Sequence, residues 1–137
     1  MKTCPCHSGQ PYQTCCQPFH KGQLPPTPEA LMRSRYAAYA LGKVGYVIKT
    51  EHPNSPRIKT DAKMFRKELK WFCEHTQFVG LHILKQATVS PEQATVTFQA
   101  VLLQDGQDVS FTEQSLFEKL KGRWLYVKPV EGKAWGR

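Results

Sequence analysis

Acidic residues are scarce in the first half of this chain. Residues 1–73 hold 4 Asp/Glu against 12 Lys/Arg, whereas residues 74–137 hold 7 of each. The net charge of +8 is thus concentrated toward the N-terminus, which suits an anionic partner such as RNA, a ribonucleoprotein or an acidic protein face. Long apolar runs are missing too. Met1-Lys2-Thr3 leads straight into Cys4 without an apolar leader, and no run approaches the ~20 residues that a membrane-crossing helix needs. A cytoplasmic protein with no membrane insertion is the expectation. Beyond residue 16 cysteine is nearly absent: four of the five stand at Cys4, Cys6, Cys15 and Cys16, and the fifth is Cys73. A disulfide-built secreted domain spreads its cysteines through the chain, so this clustering points to metal. No glycine-rich phosphate loop follows a strand and no serine stands in a strained elbow, which removes two large enzyme classes. No specific DNA site is expected either.

Residues 1–18 are dense in Cys, Pro, Gly, Ser and Gln and show no amphipathic period. Packing alone cannot order such a segment. Cys-x-Cys, eight residues and Cys-Cys offer four soft ligands, the number that a closed tetrahedral Zn²⁺ site takes. Such a site leaves no position for water and is structural. Pro5, Ser8, Gly9 and Pro11 allow the loop to fold back, and adjacent Cys15 and Cys16 reach one ion only if the backbone curves sharply there. Two disulfides or loose thiols are the alternatives, disfavoured by a reducing cytoplasm. His7 and His20 could each replace a cysteine but read better as exposed side chains.

The chain divides into a zinc knuckle (1–20), a proline-bearing linker (21–27), an α+β domain (28–130) and a loose tail (131–137). Thr27-Pro28-Glu29 starts a helix that runs to about Leu41, with Met32, Tyr36, Tyr39 and Ala40 as its buried face. A short helix covers Val44 to Thr50, after which Pro53 and Pro56 break the chain. Thr60 or Asp61 caps a third helix to about Cys73, with Phe65, Leu69, Phe72 and Cys73 as its stripe and Cys73 as an inert core thiol. After Glu74 the period drops to 2, giving strands at 78–88, 94–104, 109–120 and 124–128. Asp105-Gly106 and Lys121-Gly122 are hairpin turns, and Ser90-Pro91 marks the first connection. Helices followed by an antiparallel meander make an α+β fold with helices on one sheet face.

The run Cys4-Pro5-Cys6-His7-Ser8-Gly9-Gln10-Pro11-Tyr12-Gln13-Thr14-Cys15-Cys16 resembles the SEC-C zinc motif, first described at the C-terminus of the SecA translocation ATPase. His7 stands where that motif usually has Gly, and Gln10 and Gln13 where it usually has Lys. The resemblance implies metal binding by all four cysteines. Further on, Thr27-Pro28-Glu29-Ala30-Leu31-Met32-Arg33-Ser34-Arg35-Tyr36-Ala37-Ala38-Tyr39, His52-Pro53, Glu113-Gln114-Ser115-Leu116-Phe117 and Gly122-Arg123-Trp124-Leu125-Tyr126 are similar to the YchJ-like family of small bacterial proteins. That resemblance covers nearly the whole chain. It implies an N-terminal SEC-C motif fused to an NTF2-like domain, a cone of helices on a curved sheet, and no settled activity.

An NTF2-like cone often encloses a cavity. Val109, Phe111, Glu113, Ser115 and Phe117 share one strand face, and Glu113 is costly to bury there without a donor such as Arg33, Arg35 or His52. Glu113 and His52 as an acid–base pair is the catalytic candidate; a carboxylate tying sheet to helix is the plainer reading. Tyr36, Tyr39 and Trp71 read as core, and His75 and His82 suggest no site. Lys63, Arg66, Lys67 and Lys70 form a basic helix face that, with the knuckle, could dock a protein or ribonucleoprotein partner.

Overall fold

The structure is a computed structural model and describes residues 2–132. Its helices are α1 (Gln17–His20), α2 (Pro28–Leu41), α3 (Val44–Lys49), α4 (Pro56–Thr60) and α5 (Ala62–His75). The strands are β1 (Thr76–Ser90), β2 (Gln93–Gln104), β3 (Gln107–Asp108), β4 (Phe111–Leu120) and β5 (Arg123–Gly132). The helices come first and the strands afterwards, as the change of period after Glu74 predicts.

Local chemistry sets the boundaries. The Thr27 hydroxyl accepts the Ala30 N–H at 3.1 Å with Pro28 in the first turn, and Gly42 ends α2 at φ 74°. Asp61, not Thr60, caps α5, accepting the Lys63 and Met64 N–H groups at 3.0 and 3.2 Å. Helix α4 lies where a break is expected. Pro56 occupies its first turn, where the missing N–H has no partner to lose, so the proline starts a helix instead of ending one.

The sheet is antiparallel in the order β1-β2-β4-β5, with β3 paired to β2. The β1–β2 ladder shifts register after Phe78, Ile83 and Thr88, and such bulges bend and twist a sheet. Asp105-Gly106 (φ 49° and 78°) and Lys121-Gly122 (φ 51° and 82°) have the paired positive φ that a tight hairpin turn requires. Strand β5 continues past Lys128, so the first two residues of the expected tail are strand; residues 133–137 lie outside the described residues.

Helices α2 and α5 lie over one sheet face, where Tyr36, Tyr39, Leu69 and Phe72 share a core with Phe98 and Phe117. From Leu31 to Tyr39 α2 is buried on nearly its whole circumference, beyond the single expected face. The body covers one side, and on the other Ala37 joins Cys4, Cys6 and Cys16. The segment after α3 is tied to β5: His52 N–H donates to the Tyr126 carbonyl at 2.7 Å, and Tyr126 N–H to that of Thr50 at 2.9 Å. Among the described residues no helix is long and apolar enough to cross a membrane.

Candidate metal centre and buried ionic cluster

The N-terminal loop closes through Cys4 N–H to the Gln10 carbonyl at 2.7 Å and His7 N–H to the Cys4 carbonyl at 3.0 Å. After the 3-10 turn at Tyr12–Thr14 the backbone bends sharply at Cys15 (φ −108°, ψ −91°), and Cys16 is the N-cap of α1. This curvature lets neighbouring cysteines face one point. All four Sγ atoms lie within 4.8 Å of one another. Cys6 and Cys15 sulfurs are 3.6 Å apart and those of Cys15 and Cys16 3.9 Å. Zn–S bonds of about 2.3 Å in a tetrahedron put sulfurs about 3.8 Å apart, so the donor set fits such an ion. The neighbouring thiols act on one another: Cys16 and Cys4 lower the pKa of Cys6, while Cys4 and Cys6 beside it raise that of Cys16. Ser8 Oγ sits 3.2 Å from the Cys15 sulfur, a second contact around the cluster.

Three hydrogen bonds seat this loop on the body. Arg33 Nη1 donates to the Cys6 carbonyl at 3.1 Å, and His7 Nε2 to the Phe78 carbonyl at 3.1 Å. His20 is not the exposed side chain that the sequence suggests. Its Nε2–H donates to the Ser34 carbonyl at 2.8 Å, so Nδ1 accepts from the Tyr12 hydroxyl at 2.7 Å. Burial lowers its pKa, and the neutral ring sits 4.7 Å edge-on from Tyr46. Both of its nitrogens are committed to this bridge.

Inside the body, polar residues meet at a second centre. Glu51 Oε1 takes Arg35 Nη2 at 2.6 Å and Arg57 Nη2 at 2.8 Å, and Ser55 donates to its other oxygen. Burial opposes the charge on Glu51, but Arg35 and Arg57 outweigh it and keep its carboxyl below the usual range. Both guanidinium groups also face the Tyr126 ring, at 4.7 and 5.5 Å from its centroid. The Tyr126 hydroxyl donates to Glu113 Oε2 at 2.9 Å, as does Ser115. Glu113 is fully buried, and its Oε1 has no hydrogen-bond partner among the described residues. Burial, only partly offset by Ser115, Tyr126, Arg57 and Arg35, raises its pKa to about 7.

The expected Glu113–His52 pair does not form. His52 Nδ1 accepts the Asn54 N–H at 2.9 Å, and its Nε2 donates to Glu118 Oε1 at 2.6 Å. Glu118 stands five residues beyond Glu113 on the same strand, an odd separation that puts the two carboxyls on opposite faces. The hydrogen bonds of Glu113 tie β4 to β5, not sheet to helix. Glu51, Arg57 and Tyr126 were not singled out as site residues. They come from three separate segments, and only the lone carboxylate on an apolar strand face hinted at them.

The family model described as YchJ, middle NTF2-like domain, matches residues 27–129. The chain belongs to the YchJ family. A second family model, the SEC-C motif, matches residues 2–18. A UPF0225 protein of Deinococcus radiodurans is 42% identical over 133 residues, which covers 96% of this chain and 91% of that protein. The UPF0225 protein YchJ of Shigella dysenteriae is 35% identical over 126 residues, or 90% of this chain and 80% of the relative. The solution structure of a SEC-C motif containing protein from Rhodopseudomonas palustris superposes with a TM-score of 0.79 at 35% identity, covering 96% of this chain and 97% of its own. A calcium/calmodulin dependent protein kinase II association domain from Xanthomonas campestris is 16% identical with a TM-score of 0.52, over 82% of this chain and 92% of its own. That likeness shows the fold alone.

In this YchJ-family chain the basic residues Lys63, Arg66, Lys67 and Lys70 are all exposed along α5. Cys73 is half-buried, and burial raises its thiol to about 11. Trp71 is not core: it is 52% exposed. Phe65, Leu69 and Phe72 set the buried stripe, and a residue two places after Leu69 falls roughly half a turn away from it.

Proposed function

We propose that this YchJ-family protein is an interaction protein and not an enzyme, its SEC-C motif ordered by one structural Zn²⁺. The motif and the basic face of α5 present together to an anionic protein or ribonucleoprotein partner. The convergence of four sulfurs within 4.8 Å is what supports the metal most directly. When bound, zinc supplies the positive charge that converging thiolates lack. The chain's own part is to hold the ligands: the sharp bend at Cys15, the helix start at Cys16, and the Ser8 contact. Four protein ligands leave no open position, so the metal organises structure.

Protein purified without chelator should carry about one zinc per chain by elemental analysis. Cys15→Ser or Cys16→Ser should release it. Metal-free protein with resistant disulfides among these cysteines would sink the zinc assignment. A partner recovered from lysate should be lost both from the cysteine variants and from protein with Lys63, Arg66, Lys67 and Lys70 changed to Gln. A second reading, a small-molecule binder using the cone interior, is favoured by the buried Oε1 of Glu113, which has no partner among the described residues. It predicts a ligand-induced rise in melting temperature that Glu113→Gln abolishes.

A further inference from the structure

The solvent face of α5 carries two kinds of side chain. One is the basic set, Lys63, Arg66, Lys67 and Lys70. The other is aromatic. Lys63, Lys67 and Trp71 follow one another in four-residue steps, so the exposed indole continues the row of charges along one side of the helix. His75 comes one step later and stacks on the indole, with ring centroids 4.4 Å apart and planes 15° from parallel. The imidazole is fixed in turn, since its Nδ1–H donates to the Trp71 carbonyl at 2.8 Å. The indole is thereby braced on one face while half of the residue stays open to water. Glu68 and Glu74 share the solvent side and leave the cations in excess.

Solubility accounts for the lysines, and the half-exposed indole braced by His75 adds an open aromatic face beside them. We propose that this face binds single-stranded nucleic acid, with phosphates on Lys63, Arg66, Lys67 and Lys70 and a base stacked on Trp71. The proposal names the partner class for the basic face and rests on that half of the function above, not on the zinc. An unpaired base offers a π-face that any sequence can supply, and cations beside an aromatic platform are the common way to hold such a strand. A duplex keeps its base faces inside the stack. An acidic protein would answer the charges and leave the indole unused.

The test uses the full chain with its metal and a fluorescent oligouridine RNA of about twelve nucleotides, a length within the range of such sites. The same strand annealed to its complement, and an acidic peptide, serve as comparisons. Anisotropy at several salt concentrations should show the single strand bound several-fold tighter than the duplex. Trp71→Ala should weaken binding about tenfold without changing the salt slope, and Trp71→Phe should keep most of it. Changing the four basic residues to Gln should weaken binding and flatten the slope, which falls by about 0.7 per phosphate released from its counterion. Circular dichroism controls for folding, and if Trp71→Ala melts early the Trp71→Phe comparison decides. Duplex or acidic peptide bound as tightly as the single strand, or full binding by Trp71→Ala, overturns the nucleic-acid proposal and leaves the adaptor reading standing. No binding of any probe overturns the proposal as well, while zinc content tests the SEC-C assignment separately.

Discussion

The cysteine loop and the helix–sheet body each bury a polar centre, and the two differ in how charge is balanced there. At Glu51 two guanidinium groups from the same chain, Arg35 and Arg57, lie within 2.8 Å of one carboxylate oxygen. At the knuckle four thiols converge, and Arg33 beside them shares its guanidinium between the Cys6 carbonyl and Glu29. The body therefore supplies counter-charges from its own side chains, whereas the four sulfurs of the loop form a donor set that a cation would fit. The difference follows from composition: the first eighteen residues lack the apolar side chains for a core, and ligand affinity becomes their folding energy.

The largest effect should come from breaking the buried ionic centre. Glu51→Ala leaves Arg35 and Arg57 buried without their carboxylate, which costs about 3–5 kcal/mol. Chemical denaturation of wild type and variant measures it, and a loss below about 1 kcal/mol would mean that water reaches the cluster.

Glu113 sharpens the same contrast, because its carboxyl is only partly served by the arginines. Its pKa of about 7 lies above the 4.5 of an unperturbed glutamate, so the folded state holds its proton more tightly. Stability from this group is complete below pH 4.5 and falls as pH rises through 7. The loss is about 3 kcal/mol at most. Melting temperatures at pH 5.5 and 8 should show this decline in wild type and not in Glu113→Gln. A wild type that gains stability over the same interval would refute it.

Deleting residues 1–20 asks whether the two centres are separable. The body has its own core, so it should still fold. It would lose the three hydrogen bonds made by the Cys6 carbonyl as acceptor and by His7 and His20 as donors, and the cover over Ala37. At about 1 kcal/mol per bond the cost is about 2–3 kcal/mol, visible as a lower denaturation midpoint with a cooperative transition. A truncated protein without such a transition would mean that α2 depends on the knuckle for its burial.

What was legible in the sequence was local. The Thr27 cap, the Asp105-Gly106 and Lys121-Gly122 turns and the Phe65–Leu69–Phe72 stripe each depend on residues a few positions apart, and each stands as read. The four cysteines were legible for the same reason. The surroundings of Glu113 were legible only in part: Arg35 was a candidate and does act on its charge, but Tyr126 on another strand and Arg57 on a separate helix were not foreseen. Nor was the all-round burial of α2, since nothing within a helix announces that a loop from earlier in the chain will cover its back. Trp71 was legible and misread: the period that buries Leu69 and Phe72 already turns it outward.

The smallest effect should appear at the seam between the two regions, at His7. It adopts φ 63°, a left-handed conformation that glycine takes freely and that costs other residues roughly 1 kcal/mol. The SEC-C pattern usually has Gly there, so this chain carries strain that the pattern avoids. In return the imidazole donates to the Phe78 carbonyl at 3.1 Å and packs edge-on against Tyr36 at 5.7 Å. An exposed hydrogen bond and one ring contact return about 1 kcal/mol together. His7→Gly should therefore change overall stability by less than about 1 kcal/mol while loosening the seam. Hydrogen exchange separates the two quantities: amides at Cys4 and Tyr12 should exchange faster in the variant, with those of α5 unchanged. Unchanged exchange at the seam would mean that the histidine adds nothing to docking and that Arg33 and His20 hold the knuckle in place.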